Sequence, residues 1–336
     1  MKTKKWKKWL IAGVILSSLT ACSTSGSNAG ESDYPKKPIT VVAPSGAGGG
    51  WDLTARSLTK ILGETKTVDQ TMTVENKPGG GGAVYLAEFA TQHKKDDYKL
   101  YVNSPPILIN NLKKEGNSPY GFKDTTPLAQ LTKDFGAIVV KEDSKYNNLK
   151  ELMDAVKKDP KSVTAAGGSA PGSMDHLVAV LPAYKSDIDP KTVKYVSYDG
   201  GGEAIAALLG GNADYIATDA SAVGEYLKAG KVKVLGISST ERLKGDLADV
   251  PTFKEAGIDA DFTIWRGVFG PKEMSDRAVA YWNKTLKKLN ESKEWQDELE
   301  RNGWESEFKD GKEFETFLKE QEKQVEDLLK SLGMNK

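Results

Sequence analysis

The residues of this 336-residue chain best suited to chemistry are glycine- and hydroxyl-rich turns, each set directly after a short apolar run. The first is Ser45-Gly46-Ala47-Gly48-Gly49-Gly50-Trp51-Asp52, and the second is Pro78-Gly79-Gly80-Gly81-Gly82. Gly167-Gly168-Ser169-Ala170-Pro171-Gly172-Ser173 and Asp199-Gly200-Gly201-Gly202 follow in the second half, with Thr218-Asp219-Ala220-Ser221 as a fifth. A strand running through such a turn into a helix leaves backbone N–H groups bare at the helix N-terminus, where the macrodipole favours an anion. A carboxylate or a phosphate is the natural occupant. One glycine turn is weak evidence, because glycine mostly serves tight turns. Five in the same position of successive units point to one shared cleft.

Catalytic signatures fail on inspection. Gly46-x-Gly48 continues as Gly49-Gly50-Trp51 and lacks the third glycine of a dinucleotide fingerprint, and no P-loop occurs. Ser57-Leu58-Thr59-Lys60 matches S-x-x-K without its companion motifs, and Leu58 and Ile61 make it one side of an apolar helix. There is no G-x-S-x-G. His176 could serve a Ser/His hydrolase with Ser173 or Asp175, or be a structural or ligand-adjacent histidine. Asp52 is either a general base or a residue that caps its helix and orients the loop. The single cysteine, Cys22, excludes a disulfide and a cysteine zinc site, and His93 and His176 show no ligand spacing. No enzyme activity, cofactor or metal is expected.

The elements that would hold these turns begin after a targeting segment. Lys2, Lys4, Lys5, Lys7 and Lys8 precede an apolar stretch, 10–19, that is too short to span a bilayer of roughly 30 Å. Leu19-Thr20-Ala21-Cys22 resembles a lipobox, so 1–21 is expected to be a lipoprotein signal and Cys22 the lipidated residue. A plain secretory signal with a chance cysteine is the alternative. Residues 22–33, rich in Ser, Gly and Asn, read as a flexible tether. Without the five leading lysines, 42 basic residues face 47 acidic ones, a net charge of −5 that gives no reason to expect nucleic acid. The remaining length exceeds a usual single core, so two lobes are expected. Strands are expected at 39–43, 72–75, 99–102, 137–140, 162–165, 193–197, 215–218 and 232–237, alternating with amphipathic helices, which predicts parallel α/β units. Ser275 should cap a helix, and Phe314, Phe317, Leu318, Val325, Leu328, Leu329 and Leu332 form the stripe of a last helix stopped by Gly333. Segments 128–140 and 262–271 read as crossings between lobes, giving lobe 1 as 34–131 with 267–336 and lobe 2 as 132–266.

Several of these residues also resemble a known family. Pro38-Ile39-Thr40-Val41-Val42 through Ala47-Gly48-Gly49-Gly50-Trp51-Asp52, with Ala55-Arg56, is similar to the opening of the tripartite tricarboxylate transporter receptors, or Bug receptors. So are Val74-Glu75-Asn76-Lys77-Pro78-Gly79-Gly80-Gly81-Gly82, Gly172-Ser173 with His176, Tyr198 with Gly200-Gly201, and Leu208-Leu209-Gly210-Gly211 with Asp214. Val250-Pro251-Thr252-Phe253-Lys254-Glu255-Ala256-Gly257 adds a further block. The resemblance implies an α/β, type II periplasmic-binding-protein fold closing on a small carboxylate, and partners comprising one large and one small integral membrane protein. It implies ligand contacts at Ser45, Gly46, Ala47, Gly48 and Gly49, with Asp52 nearby, and at Gly79, Gly80, Gly81 and Gly82. Gly172, Ser173, Asp199, Gly200 and Asp219 would face them from the second lobe; Ser104, just after the strand expected at 99–102, is a further candidate contact. Asp199 and Asp219 also leave room for a ligand with an amino group, or for a cation. Arg266 could pair with a second carboxylate or make a structural salt bridge. Uptake is the expected role; signalling to a sensor kinase by the loaded receptor is the alternative.

Overall fold

The computed structural model describes residues 34–47, 50–115, 118–198 and 200–336. The expected signal segment, Cys22, the tether, and the candidate contacts Gly48, Gly49 and Asp199 lie outside the described residues. Tyr34–Lys336 forms one compact unit.

In β1 (Ile39–Ala43), Ile39, Val41, Val42 and Ala43 are all buried, so the strand is apolar on both faces, as a strand in a sheet covered on both sides must be. It delivers the chain through the first glycine turn into α1 (Gly50–Glu64). This helix buries Ala55, Leu58, Ile61 and Leu62, spaced three or four apart, and carries Asp52 in its first turn, where the dipole favours negative charge. β2 (Met72–Asn76), α2 (Ala83–Gln92), β3 (Lys99–Asn103) and α3 (Pro106–Leu112) repeat the pattern, with β2 and β3 parallel to β1 on either side.

The chain then enters β4 (Thr125–Lys141), 17 residues long. α4 (Leu149–Lys158), β5 (Thr164–Gly167), α5 (Met174–Lys185), β6 (Lys194–Ser197), α6 (Gly201–Leu209), β7 (Tyr215–Asp219), α7 (Gly224–Lys228) and β8 (Val232–Ile237) follow. It returns through β9 (Thr263–Pro271), α8 (Asp276–Glu291), α9 (Lys293–Asn302), β10 (Glu305–Asp310) and α10 (Gly311–Leu332). The sheet runs β2-β1-β3-β9-β4-β7-β5-β6, and β8 and β10 also pair with β4. The first part of β4 lies antiparallel to β9 and β10, and from Gly136 onward it lies antiparallel to β7 and β8. β4 thus joins two sheet halves.

Parallel pairing holds among β1, β2 and β3 and among β5, β6 and β7; every described pairing of β4 and β9 is antiparallel, which the expectation of parallel units did not contain. Segment 128–140 falls in β4 and all of segment 262–271 but its first residue in β9; the two strands pair at nine positions from Thr125/Pro271 to Phe135/Thr263.

Helix ends follow their capping residues. Ser275 accepts the Ala278 N–H, and Asp310 and Glu313 cap α10 reciprocally. Gly333 ends α10 in the left-handed conformation (φ 67°) that glycine adopts without a Cβ penalty. The first turns of α10 seat Phe314 and Leu318 beside Trp265 and Phe269, in the core of the first sheet half. Its last turns seat Val325, Leu328, Leu329 and Leu332 with Leu149, Leu177 and Phe253, in the core of the second.

Candidate functional site

The turns after β1, β2 and β3 lie at the carboxyl ends of neighbouring parallel strands, where open α/β sheets bind ligands. Asp52 fastens the first turn. It is 2% exposed, and it accepts from Arg56 Nε at 2.9 Å and from Asn76 Nδ2 at 2.8 Å. Asn76 also donates to the Ser45 carbonyl at 3.1 Å, so one amide at the end of β2 ties the turn and the helix start together. Ser45 is half-buried, while Gly46 and Ala47 are exposed.

The second turn, Gly79-Gly80-Gly81-Gly82, has positive φ at all four residues (149°, 55°, 60° and 90°), a path that side chains rarely follow. Asn110 Nδ2 donates to the carbonyls of Gly80 (3.2 Å) and Gly81 (2.9 Å) and holds them toward α3. The Cβ that Gly82 lacks would stand 3.4 Å from Pro44 Cγ, so the second turn rests on the start of the first. Tyr101 donates to the Gly82 carbonyl, and Asn103 bonds to the Tyr101 hydroxyl and to the Ser104 N–H. Ser104 Oγ accepts from Trp51 Nε1 at 2.9 Å, tying the end of β3 to the first turn of α1.

The second half repeats the arrangement after β5, β6 and β7. A Cβ on Gly168 would lie 2.2 Å from Gly201 N and 2.3 Å from Gly200 C, so these two turns touch backbone to backbone. Gly201 in turn stands against Thr218 Oγ1 of β7. Ser173 caps α5 in extended backbone geometry, and Gly172 has φ 72°. His176 braces this turn: its Nδ1 accepts the Gly172 N–H at 2.8 Å and its ring packs on Tyr195. Burial first, and Lys113 second, lower its pKa to about 4, so the imidazole is neutral.

The two sets of turns meet. Arg266 on β9 donates from Nη2 to Asp219 Oδ2 at the end of β7, 3.1 Å away. The same guanidinium lies 3.0 Å from where a Gly50 Cβ would be. The contact Gly50–Arg266–Asp219 therefore joins the start of α1 to the opposite half. Of the two roles open for Arg266, the structure shows the salt bridge. A second bridge runs from Lys113 Nζ to the Pro171 carbonyl at 3.0 Å.

Acidic groups crowd this meeting point. Burial, and then repulsion from Asp219, raise the Asp175 carboxyl to about 7, although the Gly168 N–H donates to it at 2.6 Å. The same two causes raise Asp134, which accepts from the Phe135 N–H and from Ser221 Oγ and N–H. Asp134, Asn76, Asn103 and Asn110 were not singled out from sequence as site residues. The asparagines carry no local signal, whereas Thr132-Lys133-Asp134 is visible as a polar break between apolar runs. A separate open pocket of about 500 Å³ on the flank of α1, lined by Leu53, Arg56, Ser57, Lys60, Met72 and Glu298, shares none of the candidate ligand contacts.

The pattern described as "Tripartite tricarboxylate transporter family receptor" matches residues 55–334. The chain belongs to this family. Its members are solute-binding receptors rather than enzymes, acting outside the cytoplasm. The receptor is 29% identical over 310 residues to the "UPF0065 protein in gbd 5'region" of Cupriavidus necator, covering 90% of each chain. The solved structure of a TctC solute binding protein from Polaromonas is 28% identical, with a TM-score of 0.72 over 89% of this receptor and 100% of that chain. Two structures from Rhodopseudomonas palustris share the fold at lower identity. MatC, with bound malate, is 24% identical (TM-score 0.74, 88% and 100% covered), and an adipate-bound protein is 21% identical (TM-score 0.78, 90% and 99% covered). The receptor thus has the mixed α/β periplasmic-binding-protein fold. Among the described residues, no helix is long and apolar enough to cross a membrane.

Proposed function

We propose that this receptor binds a small carboxylate between the two sets of strand-end turns, closes on it, and hands it to one large and one small membrane protein of a tripartite carrier. The observation that supports this best is the Gly50–Arg266–Asp219 contact, which sets the turns of the two sheet halves face to face. In this reading the lobes are 34–131 with 267–336, and 132–266. Backbone N–H groups of 45–49 and 79–81 grip one carboxylate, while the Gly82 N–H is spent on the Gly79 carbonyl, and Gly172, Ser173, Asp199, Gly200 and Asp219 face it. Ser104 and Asp52 hold the first turn in shape. Neutral N–H donors pair with an oxyanion without burying a dedicated lysine, which avoids a desolvation cost. The malate and adipate in the two fold neighbours belong to the same ligand class. Lipidation at Cys22 would anchor the receptor to the outer face of the cell membrane.

Calorimetric titration of residues 33–336 with citrate, then with dicarboxylates and acidic amino acids, tests the reading. Micromolar binding, about 8 kcal/mol, is expected for one of them. No binding across the panel, by folded protein stripped of carried-over ligand, counts against a carboxylate ligand. For the anchor, Cys22→Ala should release the protein from the membrane fraction.

A further inference from the structure

Thr132 on β4 stands directly opposite Arg266 on β9 in the antiparallel ladder. Both side chains therefore leave the same face of the sheet, with Cβ atoms about 5 Å apart. Asp134, two residues along β4, shares that face, and Asp219 reaches the group from β7. Thr132 is 0% and Arg266 6% exposed. Three buried polar atoms of this wall have no hydrogen-bond partner among the described residues: Thr132 Oγ1, Arg266 Nε and Asp219 Oδ1. Nearly all buried polar groups in folded proteins are paired, so three orphans around one ion pair require an explanation. The guanidinium also faces the ligand turn, with Nε 3.5 Å from where a Gly50 Cβ would stand.

Donor and acceptor chemistry selects the missing group. Arg266 Nε can only donate, the carboxyl oxygen Asp219 Oδ1, whose partner Oδ2 accepts from Arg266, is an acceptor, and the Thr132 hydroxyl can do either. A second carboxylate would satisfy Nε but would have to share the guanidinium with Asp219, whose Oδ2 already accepts from it, beside the carboxyl of Asp134. An ammonium would satisfy Oδ1 and be repelled by the guanidinium. A hydroxyl accepts from Nε, donates to Oδ1 and brings no charge. We propose that Thr132, Arg266 and Asp219 form the specificity-determining wall of the cleft and receive the hydroxyl of a hydroxycarboxylate, an inference that rests on the carboxylate-receptor reading above.

The test compares ligands that differ by one hydroxyl, malate against succinate and citrate against tricarballylate, by calorimetric titration of the purified chain. In at least one pair the hydroxy acid should bind about tenfold tighter or more, because the analogue leaves buried partners unpaired. Thr132→Val preserves shape, and in a variant shown to be folded by thermal melting that ratio should fall to about threefold or less. Equal affinities within both pairs overturn the proposal while leaving the carboxylate reading intact, as does a ratio unchanged in folded Thr132→Val. Tighter binding of L-aspartate than of malate overturns it in favour of an ammonium. Silence with all of these compounds overturns the carboxylate reading and this inference together. If Thr132→Val does not fold, the wild-type ratios decide alone.

Discussion

Asp175→Asn is expected to stabilise the empty receptor in alkaline buffer and to lose that advantage in acid. The Asp175 carboxyl is buried, receives one N–H from Gly168 and is repelled by Asp219, which together raise its pKa from 3.8 to about 7. Because the folded value exceeds the unfolded one, the stabilisation from the bound proton is complete below about pH 4. It is lost as pH rises to about 7. Every tenfold difference in proton affinity between the folded and unfolded chain is worth about 1.4 kcal/mol. Between pH 5 and pH 8.5, ionisation of this one group therefore costs the wild type roughly 3 kcal/mol. Asparagine keeps an acceptor for the Gly168 N–H and carries no charge, so it escapes that cost at every pH. Its new N–H₂ group needs a partner, a penalty of about 1–3 kcal/mol that does not depend on pH. The pH dependence of the difference is therefore the clean quantity. Urea denaturation of both proteins at pH 5 and pH 8.5 measures it. The variant should gain about 3 kcal/mol on the wild type between the two; a gain below about 1 kcal/mol would refute the burial-and-repulsion account of this site.

Three further outcomes follow from other contacts. Gly168→Ala places a Cβ 2.2 Å from Gly201 N, so backbone in two turns must shift. Its thermal midpoint should drop by the equivalent of about 1–3 kcal/mol, with ligand affinity falling alongside. His176→Asn removes a group whose pKa is lowered from 6.5 to about 4. The wild type loses stability as pH falls from 6.5 to 4 because only the unfolded chain takes the proton, and denaturation across that range should show a shallower acid-side loss in the variant. Asn110→Ala frees the Gly80 and Gly81 carbonyls from α3. Calorimetry should show roughly tenfold weaker carboxylate binding, since about 1.4 kcal/mol of preorganisation is lost, with only a small change in melting.

What the sequence reveals and conceals divides along physical lines. β1, β3 and β7 are legible because strands buried on both faces carry near-continuous apolar runs, such as Leu100-Tyr101-Val102 and Tyr215-Ile216-Ala217. The start of α8 and the end of α10 are legible because Ser275 and Gly333 announce them locally. β10, Glu-Ser-Glu-Phe-Lys-Asp, passes unnoticed because a single apolar residue among polar ones gives no period. β4 reads as two pieces because Thr132-Lys133-Asp134 interrupts its apolar character. Two members of the interruption, Thr132 and Asp134, share the face of the sheet that carries Arg266, while Lys133 pairs with Glu305 and Glu307 of β10. Positive-φ turns at Gly79–82 could be anticipated, since only glycine tolerates that backbone. The long-range pairings could not: Asn76 on Asp52 and Asn110 on the second turn have no signature in local sequence, and for Arg266 the sequence suggests a salt bridge without naming Asp219 as its partner.

The path of α10 has a consequence for the order in which the chain can fold. Leu328, Leu329 and Leu332 belong to a core otherwise built largely from residues 138–264, and burying each such side chain contributes roughly 2 kcal/mol. The strand β9, which joins β3 to β4, is also made late in synthesis. Neither half of the sheet can therefore reach its final stability before the C-terminal segment has joined it. Loss of the last turns of α10 should therefore damage a core whose other members lie far upstream in the chain.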